Sequence, residues 1–409
     1  MLKCGLLGQK LSHSFSPKIH KILGDYSYTL FEKEPKELEF FLKNGDFNGI
    51  NVTIPYKKTV IPYLNSVSKT ALEIGSVNTV IKNNDGSLYG DNTDVYGFLE
   101  LVRYSKIDLK NKKVLVLGSG GASVAIVYAL NTLGALPVVI SRTGENNYNN
   151  LHLNSDAKII VNTTPVGMYP NNGVSPISIN NFKKLECVYD IIYNPYYTAL
   201  LLEARKNGIP NFNGMHMLVA QAKKSAELFT HSKTALKSTE EIVKILNKDT
   251  KNIVLIGMPG SGKSAVSKVL SSVLNRELID TDNLILENTG FTPAEIIKNK
   301  GEKVFRSIEQ EMVALAGKQS GKIISTGGGA VLTPENYPAL KQNGTIFWLC
   351  RDINKLATYD RPLSNNKNLN DLFIARKPFY DDFCDFTVSN NSTIKAAADE
   401  IIKLFGENL

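Results

Sequence analysis

An apolar run, a glycine turn and a Lys-Ser pair follow one another in IVLIGMPGSGKSAV, starting at Ile253, and no other stretch constrains the chain so strongly. Gly257, Gly262, Lys263 and Ser264 complete G-x-x-x-x-G-K-S, with Gly260 inside the turn, directly after a strand pattern and opening a helix pattern. In that setting free backbone N–H groups and the helix dipole attract phosphate. The lysine reaches the β/γ oxygens and the serine hydroxyl ligates Mg2+. Some 250 residues precede this loop, and they hold a second glycine turn of another design, VLVLGSGGASVAIVYAL from Val114. Gly118, Gly120, Gly121 and Ala122 make it G-x-G-G-A, which suits either a dinucleotide or an ordinary tight strand-to-helix connection.

Around both turns strand and helix patterns alternate, which implies α/β units with parallel sheets and crossover helices. KCGLLG, YSYTLFEK, GINVTIP, SVNTVIK and SLYGDN read as strands, and NNDGS as a hairpin turn. SPKIHKIL, PKELEFFLKN and PYKKTVIPYL read as helices. A helical stretch from Met215 to about Leu246 closes the first part, and the polar run at 246–251 reads as a linker. The expected domains are therefore 1–105 (completed by helices at about 215–245), 106–214 and 252–409.

Composition narrows the function classes. With 409 residues, 43% of them hydrophobic and 21% charged, the chain has the make-up of a multidomain globular protein. Its 47 Lys+Arg against 39 Asp+Glu are spread along the sequence without a basic stripe, so small anionic substrates are favoured over nucleic acid. Cys4, Cys187, Cys350 and Cys384 stand far apart, so neither zinc nor a disulfide framework is suggested. No apolar run approaches a membrane span and the N-terminal stretch lacks a signal core, so the expectation is a soluble, cytoplasmic protein. Oligomeric state stays open.

Candidate chemistry clusters after each turn. In ELIDTDNLI, Asp280 and Asp282 lie two apart at a strand end, where both carboxylates share one face. One can hold metal-bound water and the other accept a hydroxyl proton, although Asp-x-Asp also serves as a plain cap. GEKVFRSIEQE sets Arg306 and Glu309 one helical turn apart, by itself a surface ion pair. Gly327, Gly328 and Gly329 follow another strand, where missing Cβ atoms let a ligand touch the backbone. Arg361 in DRPLS and Arg376 in ARKPFY offer planar forks for carboxylate or phosphate. Upstream, Ser12, Ser14 and Ser16 precede a helix, with Ser16 placed to cap it. Thr53, Lys57, Asn78 and Asp94 complete the candidates there. Ser141-Arg142-Thr143 ends the second strand after Val114, where a cation favours a ribose 2′-phosphate.

Taken together, the features of 252–409 resemble shikimate kinase. The resemblance implies that Asp282 binds the shikimate 3-hydroxyl and acts as base. Arg306 and Arg376 would clamp the carboxylate beside Gly327–Gly329, and Arg361 would ride a lid over the phosphoryl group. ATP with Mg2+ at Ser264 and Asp280 would be the cofactor. The spacer before the lid is shorter than is usual in that family. SHSFSPKIH, NVTIPYK, GSVNTV, GDNTDVYG, GSGGA, SRT, NTTPVGM, YDIIYNPYYTALL and MLVAQA fall in the order seen in shikimate dehydrogenases, across residues 1–245. That resemblance implies a Rossmann-type NADP domain and reduction of 3-dehydroshikimate by NADPH. Ser14, Ser16, Thr53, Asn78, Asp94 and Gln221 would hold substrate, Lys57 with Asp94 would handle the proton, and Tyr193 and Gly214 would line the nicotinamide end. Asn146 stands where the family often has a second basic residue, and His216 where glycine is common. The chain thus reads as a fusion of two consecutive shikimate-pathway enzymes. The alternatives are a dehydrogenase with a weak or non-catalytic kinase-like domain, and a metabolite-sensing regulator built from the same modules.

Overall fold

Three sheets carry the strands read from the sequence, together with four that were not read from it, at 66–67, 211–212, 344–350 and 386–389. The first is mixed and comprises β1 (Lys3–Gly8), β2 (Ser27–Glu32), β3 (Gly49–Val52), β4 (Ser66–Val67), β5 (Thr79–Lys82) and β6 (Leu88–Asp91), in the order β2-β1-β3-β5-β6-β4. β1 runs parallel to β2 and β3, with Cys4 opposite Tyr28 and Gly49. β5 and β6 form an antiparallel hairpin that pairs Lys82 with Leu88. At its turn Gly86 takes φ +84° and Asp85 Oδ1 accepts the Ser87 N–H at 2.9 Å.

The second and third sheets are wholly parallel. β7 (Lys113–Leu117), β8 (Leu136–Ile140), β9 (Ile159–Asn162), β10 (Cys187–Asp190) and β11 (Asn211–Phe212) order as β11-β10-β9-β7-β8. β12 (Asn252–Ile256), β13 (Leu278–Asp280), β14 (Ile323–Ser325), β15 (Gly344–Cys350) and β16 (Phe386–Ser389) order as β13-β14-β12-β15-β16. β7 lies between β9 and β8, and β12 between β14 and β15, so the strand order reverses at each. The crevice outside the carboxyl end of such a strand is where open parallel sheets bind ligands. Both glycine turns leave from those two points.

This computed structural model describes residues 1–11, 14–232, 237–356 and 369–409, so Ser12 and Arg361 lie outside the described residues. Two units contain them: one of Met1–Gly167, Val174–Tyr193 and Glu203–Val243, and one of Met168–Gly173, Asn194–Leu202 and Lys244–Leu409. In the second unit all five residues of β12 are buried, because helices cover both faces of its sheet. Val254 and Ile256 pack with Val313 and Leu340, whereas Ile253 and Leu255 pack with Val266, Leu270 and Ala398. In the first unit Val114 and Val116 of β7 pack against Phe98, Ile126 and Ile159 in the same way.

Local structure departs from the sequence expectations in three places. PYKKTVIPYL forms successive turns and a short 3-10 helix, Ile61–Tyr63, because Pro62 in its interior withholds an N–H that a continuous helix needs. The single helix expected over Met215–Leu246 is two, Met215–Thr230 and Thr239–Thr250, the first ending at His231 with φ +50°. The stretch 246–251, read as a linker, is largely the last turn of the second helix. Ser238 and Glu241 start that helix with reciprocal bonds of 3.1 and 2.7 Å, and buried Ile242 and Leu246 carry it onward.

Candidate active sites

In the first unit the turn after β3 delivers Thr53 and then Lys57. Lys57 Nζ donates to Asp94 Oδ2 at 2.5 Å, with the two side chains 17% and 9% exposed. Asp94 is the first residue of the helix Asp94–Ser105. Its carboxylate faces Lys57 rather than capping the helix, and Asn92 Oδ1 takes the Asp94 N–H at 3.0 Å. The other Asp94 oxygen accepts Asn78 Nδ2 at 2.9 Å, while Asn78 Oδ1 accepts the Thr93 N–H at 2.7 Å. Held on both oxygens, the carboxylate cannot swing away from the ammonium.

A buried polar network extends from this pair. Thr93 Oγ1 donates to Gln221 Oε1 at 3.3 Å and lies 3.0 Å from Ser225 Oγ, both on the helix Met215–Thr230. Asn51 Nδ2 donates to Ser225 Oγ at 2.8 Å, and Tyr28 Oη donates to Asn51 Oδ1 at 2.7 Å. Asn51, Thr93 and Ser225 were not singled out from the sequence. The available signal was Asn51, a polar residue in the otherwise apolar GINV strand, whose four positions are all buried. His20 stacks on Tyr28 at 3.9 Å and bonds Tyr26 Oη through Nδ1 at 2.7 Å. Burial pushes its imidazole down from 6.5 to about 3. The folded chain therefore keeps His20 neutral where the unfolded chain takes up a proton. The resulting stability is complete above pH 6.5 and is lost as the pH falls from there toward 3. We predict that urea unfolding of the first unit weakens by a few kcal/mol across that window, and that His20→Gln flattens the dependence. Parallel pH profiles for the two proteins would refute the assignment.

The remaining first-unit residues take separate positions. Ser14 Oγ accepts the Ser16 N–H at 3.2 Å, and Phe15, not Ser16, is the N-cap of the helix Ser16–Leu23. Ser16 is thus a helical residue, its N–H taken by the Ser14 hydroxyl ahead of the cap. Phe15 lies 5.2 Å from the Tyr193 ring. Gly118 follows β7, Gly120 caps the helix Gly121–Thr132, and Gly121 and Ala122 begin it. A Cβ on Gly120 would meet nothing within 4 Å, and one on Gly121 would sit 3.7 Å from both Lys57 Cδ and Ser76 Oγ. The turn therefore opens to a ligand on one side and borders the Lys57 side chain on the other. Gly214 packs so closely that a Cβ would fall 1.9 Å from the Ile191 carbonyl oxygen. Ser141 Oγ accepts the Gly144 N–H at 2.8 Å, leaving Arg142 and Thr143 exposed. Asn146 Oδ1 accepts from Asn154 at 3.2 Å, and His216 stacks on Tyr104 at 4.2 Å.

In the second unit Gly257, Gly260 and Gly262 adopt φ of +147°, +84° and +97°, a backbone that only glycine takes up readily. Lys263 lies across the loop, donating to the carbonyls of Gly257 at 2.8 Å and Met258 at 3.1 Å. Ser264 Oγ is 3.4 Å from Asp280 Oδ2. Asp280 and Asp282 do not share a strand end as expected. The strand stops at Asp280, which caps the helix Thr281–Thr289 by accepting the Asp282 N–H at 3.1 Å. Asp282 stands in that helix's first turn and reaches Gly327, where an added Cβ would lie 2.9 Å from Asp282 Oδ1 and from Glu309 Oε1.

Arg306 and Glu309 are likewise not a surface pair. Arg306 Nη1 donates to Glu309 Oε2 at 2.7 Å with the carboxylate 1% exposed. Burial pushes the Glu309 carboxyl above its usual value, against the pull of Arg306. A Cβ on Gly329 would fall 2.5 Å from Arg306 Nη2, and Gly328 O accepts from Arg376 Nη1 at 3.1 Å and Tyr380 Oη at 2.6 Å. Glu309, beyond its spacing from Arg306, gave no sequence sign of this burial. Buried Glu309 Oε1, Arg376 Nε and Ser261 Oγ have no hydrogen-bond partner. The orphaned guanidinium N–H and serine hydroxyl, beside the glycine loop, fit anionic ligands such as a triphosphate and a carboxylate, whereas the Glu309 oxygen fits a donor such as a ligand hydroxyl. Among the described residues no group of three or more His, Cys, Asp or Glu is arranged for a metal, so Ser264 and Asp280 would hold Mg2+ together with phosphate oxygens.

Comparison with known proteins follows this division. Residues 6–80 match the family model for the shikimate dehydrogenase substrate binding domain, and residues 259–405 that for shikimate kinase. The shikimate dehydrogenase (NADP(+)) of Caldanaerobacter subterraneus is 39% identical over 254 residues, covering 55% of this chain and 90% of that protein. A chorismate mutase/shikimate 5-dehydrogenase fusion from Clostridium acetobutylicum aligns with TM-score 0.57 at 34% identity, over 61% of this chain and 98% of that one. The shikimate 5-dehydrogenase of Thermus thermophilus, solved with NADP(H) and shikimate, aligns with TM-score 0.55 at 32% identity, over 60% of this chain and 99% of that one. Because dehydrogenases of this kind are matched over at least 90% of their own length and the kinase model over residues 259–405, the chain belongs to the shikimate dehydrogenase family and continues into a shikimate kinase domain.

Proposed function

We propose that this chain catalyses two consecutive steps, NADPH-dependent reduction of 3-dehydroshikimate to shikimate and ATP-dependent phosphorylation of shikimate on its 3-hydroxyl. The observation that carries the reading is that each glycine turn leaves a point of strand reversal and faces its own set of charged side chains. When bound, the dinucleotide supplies the hydride and the magnesium-bound triphosphate the phosphoryl group. In the first site the Lys57 ammonium hydrogen-bonds the carbonyl oxygen, stabilises the charge that develops there and gives it a proton. Asp94 orients Lys57 and, with Asn78, Thr53, Gln221, Ser14 and Ser16, holds the ring hydroxyls and carboxylate. Gly118, Gly120, Gly121 and Ala122 receive the pyrophosphate, Ser141, Arg142 and Thr143 the ribose phosphate, and Tyr193 and Gly214 the nicotinamide end.

In the second site Asp282 accepts the proton of the attacking hydroxyl, while Arg306 and Arg376 fix the carboxylate against Gly327–Gly329. Lys263 exchanges the loop carbonyls for phosphate oxygens, and Arg361 completes the charge around the transferring group. The domains are 1–105 with the closing helices, 106–214 and 252–409. The enzyme is cytoplasmic, acts on small molecules and has no nucleic-acid partner. No helix among the described residues is long and apolar enough to cross a membrane. One assay series tests the reading: shikimate with NADP+, with NAD+ and with ATP-Mg2+, each followed to product. Reduction of NADP+ without shikimate 3-phosphate formation would reduce the second unit to a non-catalytic module, and silence in all three would sink the proposal.

A further inference from the structure

Arg351 stands one residue beyond β15, at the carboxyl end of the strand next to β12. Its Nε is buried and has no hydrogen-bond partner. A guanidinium carries five donors, so leaving one dry and unpaired is unfavourable unless something else completes it. The neighbouring carboxylate is already engaged elsewhere, since Asp352 accepts Asn391 Nδ2 at 3.0 Å and lies 3.4 Å from Lys355 Nζ. A structural ion pair therefore does not explain the residue.

The backbone that presents Arg351 is tied directly to the phosphate loop. Cys350 O accepts the Asn390 N–H at 2.7 Å, and Asn390 Nδ2 donates to Ser261 O at 2.8 Å. The Leu349 carbonyl oxygen lies 2.5 Å from where a Cβ on Gly257 would be. Sheet order then gives the direction. Asp280 and Asp282 follow β13, and Gly327–Gly329 follow β14, on one side of β12. Arg351 follows β15 and Asn390 follows β16, on the other side. The acceptor pocket occupies the first flank, so the end of the nucleotide remote from the transferred phosphoryl group runs toward the second.

We propose that Arg351 is a nucleotide-binding residue of the second unit, its planar guanidinium set against the nucleoside end of a purine nucleoside triphosphate held in the phosphate loop. A planar cation recognises a base by lying on its face and a ribose by hydrogen bonding, and the buried donor is completed when that ligand arrives. The inference rests on the kinase reading above and is tested by binding in the absence of acceptor. Calorimetry is run on the full chain, wild type, Arg351→Ala and Arg351→Gln, with ATP-Mg2+ and with inorganic tripolyphosphate. The expected result is a Kd for ATP raised about tenfold in both variants, with tripolyphosphate affinity within twofold of wild type, which also shows that the phosphate loop's own unit stays folded. ATP affinity within twofold of wild type, or an equal loss with tripolyphosphate, overturns the proposal. A wild-type chain that binds ATP without phosphorylating shikimate fails the functional reading alone, and one that binds no ATP ends both.

Discussion

Lys57→Ala is expected to lower dehydrogenase turnover by about 10²–10⁴-fold while shikimate phosphorylation stays near wild type. The loss follows from geometry, because the ammonium is the cation bonded to Asp94 at 2.5 Å and its side chain runs past the dinucleotide-type turn at Gly121. Without it, charge developing on the carbonyl oxygen has neither a stabilising donor nor a proton source. Removing the cation also strands a carboxylate that is 9% exposed, so some stability is lost with it. Asn78 Nδ2 and the polar network behind it still hold Asp94, which favours a folded variant. The double variant Lys57→Ala, Asp94→Asn removes the stranded charge and separates catalysis from stability. If it unfolds like wild type yet stays inactive, the Lys57–Asp94 pair acts in the reaction rather than in folding. Steady-state assays of both reactions on the same preparation provide the check, and equal loss of both activities would contradict two independent sites.

Lys263→Ala should give the mirror result, a kinase rate lower by about 10²–10³-fold with dehydrogenase turnover intact. In the free chain Lys263 is 8% exposed and spends its donors on the Gly257 and Met258 carbonyls, so it is already fixed over the loop that receives phosphate. Binding swaps those neutral acceptors for charged oxygens. That gain appears where charge is transferred, so the expected loss falls on turnover more than on ATP affinity. A Lys263→Ala chain with wild-type turnover would place the phosphate charge elsewhere.

The strands and both glycine turns were legible because each depends on neighbours in sequence. Apolar runs marked β1, β2, β3, β5 to β10 and β12 to β14, but not the two-residue β4 and β11 nor β15 and β16, and the hairpin turn and the helix Ser16–Leu23 fell where their residues put them. Errors came where a local signal was outvoted by contacts. Polar residues at 246–251 suggested a linker, yet burial of Ile242 and Leu246 keeps that segment helical. Ser16 looked like a cap because it precedes Pro17, but Phe15 occupies that position and Ser14 supplies the acceptor. Arg306 and Glu309 looked exposed because helical spacing says nothing about which face is covered.

Sequence alone determined that this chain carries two glycine turns of different design on parallel α/β scaffolds, since a glycine loop between a strand and a helix is a local property of the backbone. Only the tertiary structure decided which distant side chains meet beside each turn. Lys57, Asn78 and Asp94 come from separate elements, as do Asp282, Arg306, Glu309 and Arg376, and packing of those elements sets the distances. The physical reason is range. Turn geometry is set over a few residues, whereas the charge environment of a site is set by whatever the folded sheets and helices bring within a few ångströms.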